Sequence, residues 1–363
     1  MIMADFPANK MRKTYLLNRG AYDQPKKDHV IEADVPAILP PLPKDAPRNR
    51  LTLAKWLFSD EHPLTSRVAV NQIWQLFFGQ GMVKTPGDFG AQGRFPTHPE
   101  LLDWLAVDFR ENGWDMKRLI RQIVTSQTYK QTSNVTPERF KNDPDNQWLA
   151  RATRFRLQAE FIRDTALATS GILRTDLKGG AGVKPYQPPG LWAEVGLGGN
   201  PKFKQDNGDK LYRRSIYTYW KRSAPPPNML IFDAPTREIC TVKRPRTNTP
   251  LQALVTMNDP QFVEAARFLA ERMMKETSKK PEAIASHGFE LVTLRKPSPK
   301  ELGALVQVYN KSLKTYKEDN AAAESLLKVG EAPADKELAK DQHAAWTLVA
   351  NLLLNLDETI TRE

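Results

Sequence analysis

The sequence predicts a mainly α protein: two blocks of amphipathic helices separated by a long Gly/Pro/aromatic loop with a few short strands. Three observations predict it. Apolar residues recur at helical spacing through residues 51–174 and again through 249–363. Helix-start signals fall at the edges of those runs, and residues 175–248 interrupt the period with glycine, proline and aromatic side chains.

Residues 1–50 read as an extended N-terminal segment, with Pro36, Pro40, Pro41 and Pro43 and no helical period. In the first block, 51–174, a helix is expected from Ser66 to Phe78, ending at Gly79 and Gly81. Thr97 to Glu100 has the spacing of a capping box, followed by an apolar face of Leu101, Leu102, Leu105 and Phe109 that stops near Gly113. Asp115 is placed to cap the next helix, whose face is Met116, Leu119, Ile120, Ile123 and Val124. The stretch 175–248 is the loop and short-strand insertion, with a strand expected at Ser215–Trp220. In the last block, 249–363, capping boxes are expected at Thr249–Gln252 and Ser298–Glu301. Asp259-Pro260 opens a further helix, and Trp346, Val349, Leu352, Leu353 and Leu356 form the face of the final one.

Composition bounds the function classes. At 40% apolar and 26% charged, the chain is globular rather than disordered. No apolar run approaches the ~20 residues that cross a bilayer, so no membrane span is expected. The single cysteine, Cys240, excludes an internal disulfide, a Cys-based zinc site and the C-x-x-C-H attachment of haem. It is read as a buried, inert thiol. No cofactor is therefore expected within the chain. The five histidines lack metal-ligand spacing, and no metal site is expected. Residues 1–15 lack an apolar core, so no signal peptide is expected there. The net charge of +11 suits either a polyanionic partner or a basic surface. No nucleic-acid-binding motif accompanies it, and nucleic acid is not expected as a partner.

The catalytic and ligand-binding candidates lie in the insertion. Arg237, Lys243, Arg244 and Arg246 could bind a sulfate, phosphate or carboxylate. Asp233 and Glu238 could be a general acid/base pair, or the arginines could simply neutralise them in an ion-pair network. The aromatic residues Tyr186, Trp192 and Trp220 could stack on sugar rings or pack in a core. Arg67, Asn71 and Gln75 form a polar stripe on the Ser66–Phe78 helix, and Gln252 and Asn258 lie on the helix after Thr249. These five read as a structural hydrogen-bond network.

One resemblance runs through these residues. The segments Pro63 to Trp74, Thr85 to Gly90, His98 to Leu105, Tyr212 to Ser215, Phe232 to Pro235 and Arg246 to Leu254 resemble the planctomycete domain of unknown function numbered 1553. The likeness spans nearly the whole chain, from Leu17 to Glu358. It implies a C-terminal domain of a larger exported protein, periplasmic or extracellular, with haem in a neighbouring domain and other domains of the polypeptide as partners. The reading that joins residues and resemblance is a binding or accessory module for an anionic or neutral glycan. The alternatives are a glycan hydrolase using Asp233 and Glu238, and a scaffold for a haem domain.

Overall fold

The computed structural model describes residues 6–7, 10–195 and 202–362, and the fold is mainly α. Among the described residues there are fifteen α-helices and two sheets of two strands each. Part of the glycine-rich stretch, 196–201, lies outside the described residues. The chain divides into two compact units, residues 1–131 with 136–150, and residues 132–135 with 151–363.

The first unit opens on a feature that residues 1–50 did not reveal. Thr14–Leu17 and Pro25–Ile31 pair as an antiparallel hairpin. Both strands are almost wholly solvated, so no alternation of apolar and polar side chains marks them. The core is built by the helices Thr65–Phe78, Pro99–Glu111 and Met116–Thr125. They contribute Val70, Trp74 and Phe78, then Leu102, Leu105 and Phe109, then Leu119 and Ile123. Trp74 and Phe78, one turn apart, stack at 4.2 Å. Asp115 caps its helix, accepting from the amides of Lys117 and Arg118. The box expected at Thr97 does not form. Pro99 takes the first helical position, which makes His98 the N-cap and leaves Thr97 one residue outside. The Thr97 hydroxyl bonds the His98 ring instead, at 2.9 Å.

The second unit is organised by the helices Pro260–Lys275, Pro281–Thr293, Pro299–Glu318 and Lys340–Leu354. Leu269, Met273, Trp346, Val349 and Leu353 are fully buried among them, and the Tyr309 ring stacks on Trp346 at 4.1 Å. Each large apolar side chain buried here contributes about 1.5–3 kcal/mol. Ser298 and Glu301 make a complete capping box, and Asp259 caps Pro260–Lys275 through the Gln261 amide. Thr249 is the N-cap of Pro250–Asn258 but makes no side-chain cap: the Gln252 amide donates to the Thr249 carbonyl at 3.1 Å, and the Gln252 side chain is bonded to Ile231 and Thr247 rather than to the cap. The expected strand at Ser215–Trp220 is a 3-10 turn, Ser215–Tyr217, followed by a single bridge from Thr218 to Val183. Asp164 decides this: its carboxylate accepts both the Ser215 amide, at 2.8 Å, and the Ser215 hydroxyl, at 2.6 Å. That tertiary contact overrides the β-propensity of the segment. No helix among the described residues is long and apolar enough to cross a membrane.

Candidate functional site

The basic segment after the short helix Pro227–Ile231 is anchored from a distance. Glu160 lies in the first turn of the helix Ala159–Thr169, where a carboxylate is favoured by the helix dipole. Arg244 donates to its Oε2 at 2.7 Å, and the Arg237 guanidinium approaches its Oε1 at 4.0 Å. The ion-pair network expected around Asp233 and Glu238 is therefore centred on Glu160 instead. The Asp233 carboxylate is occupied in closing a loop: it accepts the Thr247 amide at 2.7 Å and the Thr247 hydroxyl at 2.9 and 3.1 Å. Asp233 and Arg237 both adopt left-handed backbone, φ 60° and 64°, which turns the chain sharply between them. Glu238 and Lys243 are exposed, as is every residue from 236 to 243. Cys240 lies in that stretch, so the buried thiol expected from the sequence is instead exposed. Arg246 lies over the Phe155 ring at 4.3 Å.

Cations and aromatic rings alternate through the same region. The Arg237 guanidinium sits 4.3 Å from the centre of the Trp220 ring, and the Trp220 indole N–H donates to the Thr236 carbonyl at 2.8 Å. Trp192 is buried against Phe203 and Tyr219, with the Lys221 ammonium 4.6 Å from its ring centre. Lys184 lies 5.5 Å from Tyr219, and Arg213 lies 4.0 Å from Tyr217. Tyr186 has a different role. Its hydroxyl donates to Glu264 at 3.0 Å and accepts the Glu331 amide at 2.7 Å, and burial pushes its pKa up.

The five residues read as one polar network serve separate contacts. Asn71, fully buried, accepts the Val83 amide at 2.8 Å and donates to the Val83 carbonyl at 3.1 Å. Arg67 ties its helix to the next through Asp103, at 2.6 Å, while Gln75 is half-buried further along. Gln252 donates to the Ile231 carbonyl and the Thr247 hydroxyl, steadying the loop that Asp233 closes. Asn258 donates to the Leu254 carbonyl of its own helix.

Two buried charged clusters were not singled out from the sequence. Arg163 donates to Gln261, to the carbonyls of Leu211 and Arg213 and to the Ser215 hydroxyl, at 2.6–3.1 Å; burial lowers its pKa to about 10. On Pro260–Lys275, Glu264 accepts the amides of Glu331 and Ala332, each at 2.9 Å, and the Tyr212 hydroxyl at 3.0 Å. Arg267 donates to the Ala332 carbonyl at 2.5 Å and pairs with Glu264 and Glu271. His343 stands 3.5 Å from Glu271. Desolvation lowers the His343 pKa to about 4 and raises that of Glu271. Gly330 is required beside this cluster: at φ +93°, a Cβ there would meet the Glu264 carboxyl at 2.4 Å. Helical periodicity could not flag these residues, because charged side chains on a helix are ordinarily assigned to solvent. No group of three or more His, Cys, Asp or Glu among the described residues is arranged to hold a metal ion.

Glu160, Trp220, Asp233, Arg237 and Arg244 fall within one recognised stretch, whereas the residues 330–343 that complete the Glu264 cluster lie beyond it. A family model described as PSD1, protein of unknown function (DUF1553), matches residues 49–309. The chain belongs to that family. The family stretch takes in the first unit's helical core and the second unit's basic segment, and it ends inside Pro299–Glu318. No curated protein and no solved structure matches the chain.

Proposed function

We propose that the chain is a ligand-binding module of a larger exported protein, and that its second unit takes an anionic glycan along the belt from Lys184 to Arg246. The observation that carries this reading is the pairing of accessible cations with accessible rings, Arg237 over Trp220 and Lys184 beside the exposed Tyr219, in front of the buried Trp192 and Arg213. Rings offer apolar faces to sugar C–H surfaces, and cations meet carboxylate or sulfate groups. Arg237 is held between the Trp220 ring and Glu160, which limits the freedom it loses when a ligand arrives. Hydrolysis is the weaker reading. It needs two carboxylates available to the scissile bond, and Asp233 is engaged on both oxygens by Thr247.

Affinity electrophoresis tests the proposal. Gels containing polygalacturonate or heparin should retard the protein more than dextran gels do, and added salt should release it. Because the whole chain is basic, the comparison that counts is between two variants of equal charge. Arg237→Ala with Lys243→Ala should lose most of the retardation, whereas Lys26→Ala with Lys27→Ala, on the exposed hairpin, should keep it. Equal loss in both variants would reduce the effect to net charge.

A further inference from the structure

The geometry points to a second binding site, in the first unit, for one acidic sugar residue. A hollow of about 700 Å³ is lined by Lys84, Arg94, Phe95, Thr97, Gln147 and Trp148, among others. Its size is that of a small-molecule site. Two large aromatic side chains stand at it almost uncovered, Phe95 at 93% and Trp148 at 62% exposure. Exposed rings of this kind are where apolar contact remains to be gained. Lys84 and Arg94 add two cations, and Gln147 and Thr97 add an amide and a hydroxyl.

The wall is built in advance. Thr85 accepts the Arg94 amide on its hydroxyl oxygen at 2.9 Å, and that hydroxyl donates to the Asp88 carbonyl at 2.9 Å. Asp88 in turn accepts the Gly90 amide at 2.7 Å. At Gly93 the backbone passes so close to Asp88 that a Cβ would lie 2.3 Å from its carbonyl oxygen. The Thr97 amide closes the loop on the Met82 carbonyl at 2.9 Å. On the other wall, Asp143 accepts the amides of Gln147 and Trp148, both at 2.8 Å, and the Trp148 ring stands edge-on to His98. Lys84 donates to the side-chain amide oxygen of Gln147 (Oε1) at 3.4 Å, which links the two walls.

These groups fit a hydroxyl-rich ring bearing one acidic group. The rings cover its apolar faces, the amide and hydroxyl meet its hydroxyls, and Lys84 with Arg94 meets the carboxylate. A nucleic-acid strand would require cations spaced along many phosphates, and the hollow has two.

The test is calorimetric titration of the full chain carrying Arg237→Ala and Lys243→Ala, so that the second unit's belt does not contribute. Trigalacturonate, neutral galactotriose and a short single-stranded oligonucleotide are the three probes. Trigalacturonate should still bind this background. Adding Trp148→Ala or Phe95→Ala should weaken it about tenfold, and Arg94→Gln should weaken it and flatten its salt dependence. Both rings are exposed, so thermal melts should show the fold retained. No binding in this background, or affinity unchanged by all three added substitutions, overturns the site. Galactotriose binding as tightly as trigalacturonate overturns its acidic preference, and an oligonucleotide that binds more tightly and responds to the same substitutions overturns the sugar assignment.

Discussion

Among the described residues, the first unit's buried polar side chains are Thr52, His62, Ser66, Asn71 and Asn146, none of them permanently charged. The second unit buries Arg163, Arg213, Glu264, Arg267 and Glu271, with His343 among them. The difference follows from what each unit must hold in place. In the first, Pro99–Glu111 and Met116–Thr125 are joined by the short turn 112–115, and the longer link 79–98 is steadied by one buried neutral amide, Asn71, which holds the backbone at Val83. In the second, long segments without regular structure cross the helices, and their backbone groups need partners. Charged side chains supply them. Arg163 holds Leu211 and Arg213, Arg213 holds Leu177, Gly179 and Ala181, and Glu264 with Arg267 holds residues 331–332. Such clusters are costly to desolvate, and removing one member leaves its partner buried and uncompensated.

The most severe way to break this contrast is Glu264→Ala. It strands Arg267 and releases the amides of Glu331 and Ala332, so the second unit should lose about 3–5 kcal/mol. Hydrogen exchange should show faster opening of residues 328–336 while the amides of Thr65–Phe78 keep their protection. A cost below about 1 kcal/mol would show that the cluster does not staple the loop.

A pH titration sharpens it next. His343 has a folded pKa depressed to about 4 from its ordinary 6.5 by desolvation. Its neutral form therefore favours the folded state, fully above pH 6.5, and that contribution is lost as the pH falls toward 4. The loss reaches up to about 3 kcal/mol. Glu271, raised by burial, has the opposite sign: its contribution is present at low pH and fades as the pH rises through its folded pKa. Denaturant melts of His343→Gln should show a flatter acid limb than the parent. An unchanged slope between pH 6.5 and 4 would remove His343 from the account.

The smallest effect belongs to the first unit. Asn71→Ala removes two backbone contacts without leaving a buried charge. It should cost about 2 kcal/mol and speed exchange at the Val83 amide. A loss as large as that of Glu264→Ala would erase the distinction between the units.

The signals that could be read in the sequence were short in range. Asp115, Asp259 and Ser298 cap the helices they precede, because donor and acceptor lie within one turn. Thr97 and Thr249 carry the same pattern and fail: Pro99 shifts the first cap to His98, and at the second the Gln252 amide goes to the Thr249 carbonyl while the Gln252 side chain is drawn to Ile231 and Thr247. The candidate site was legible in part. Arg237, Arg244 and Trp220 stood out as a dense polar and aromatic run, but their anchor, Glu160, lies on a distant helix and carries no mark of its role. Asp233 and Glu238 looked like a pair because they are close in sequence; Thr247 claims one, and the other lies exposed.

What the sequence by itself determined is the helical class, the helix starts with a local cap and the family to which the chain belongs. Only the tertiary structure decided which polar side chains are buried and what they hold. Periodicity records the face a helix turns to the core through its apolar residues. A glutamate or arginine on that face is stable only if a distant backbone segment arrives to meet it, as residues 331–332 do for Glu264 and Arg267. That partner is set by packing rather than by spacing along the chain.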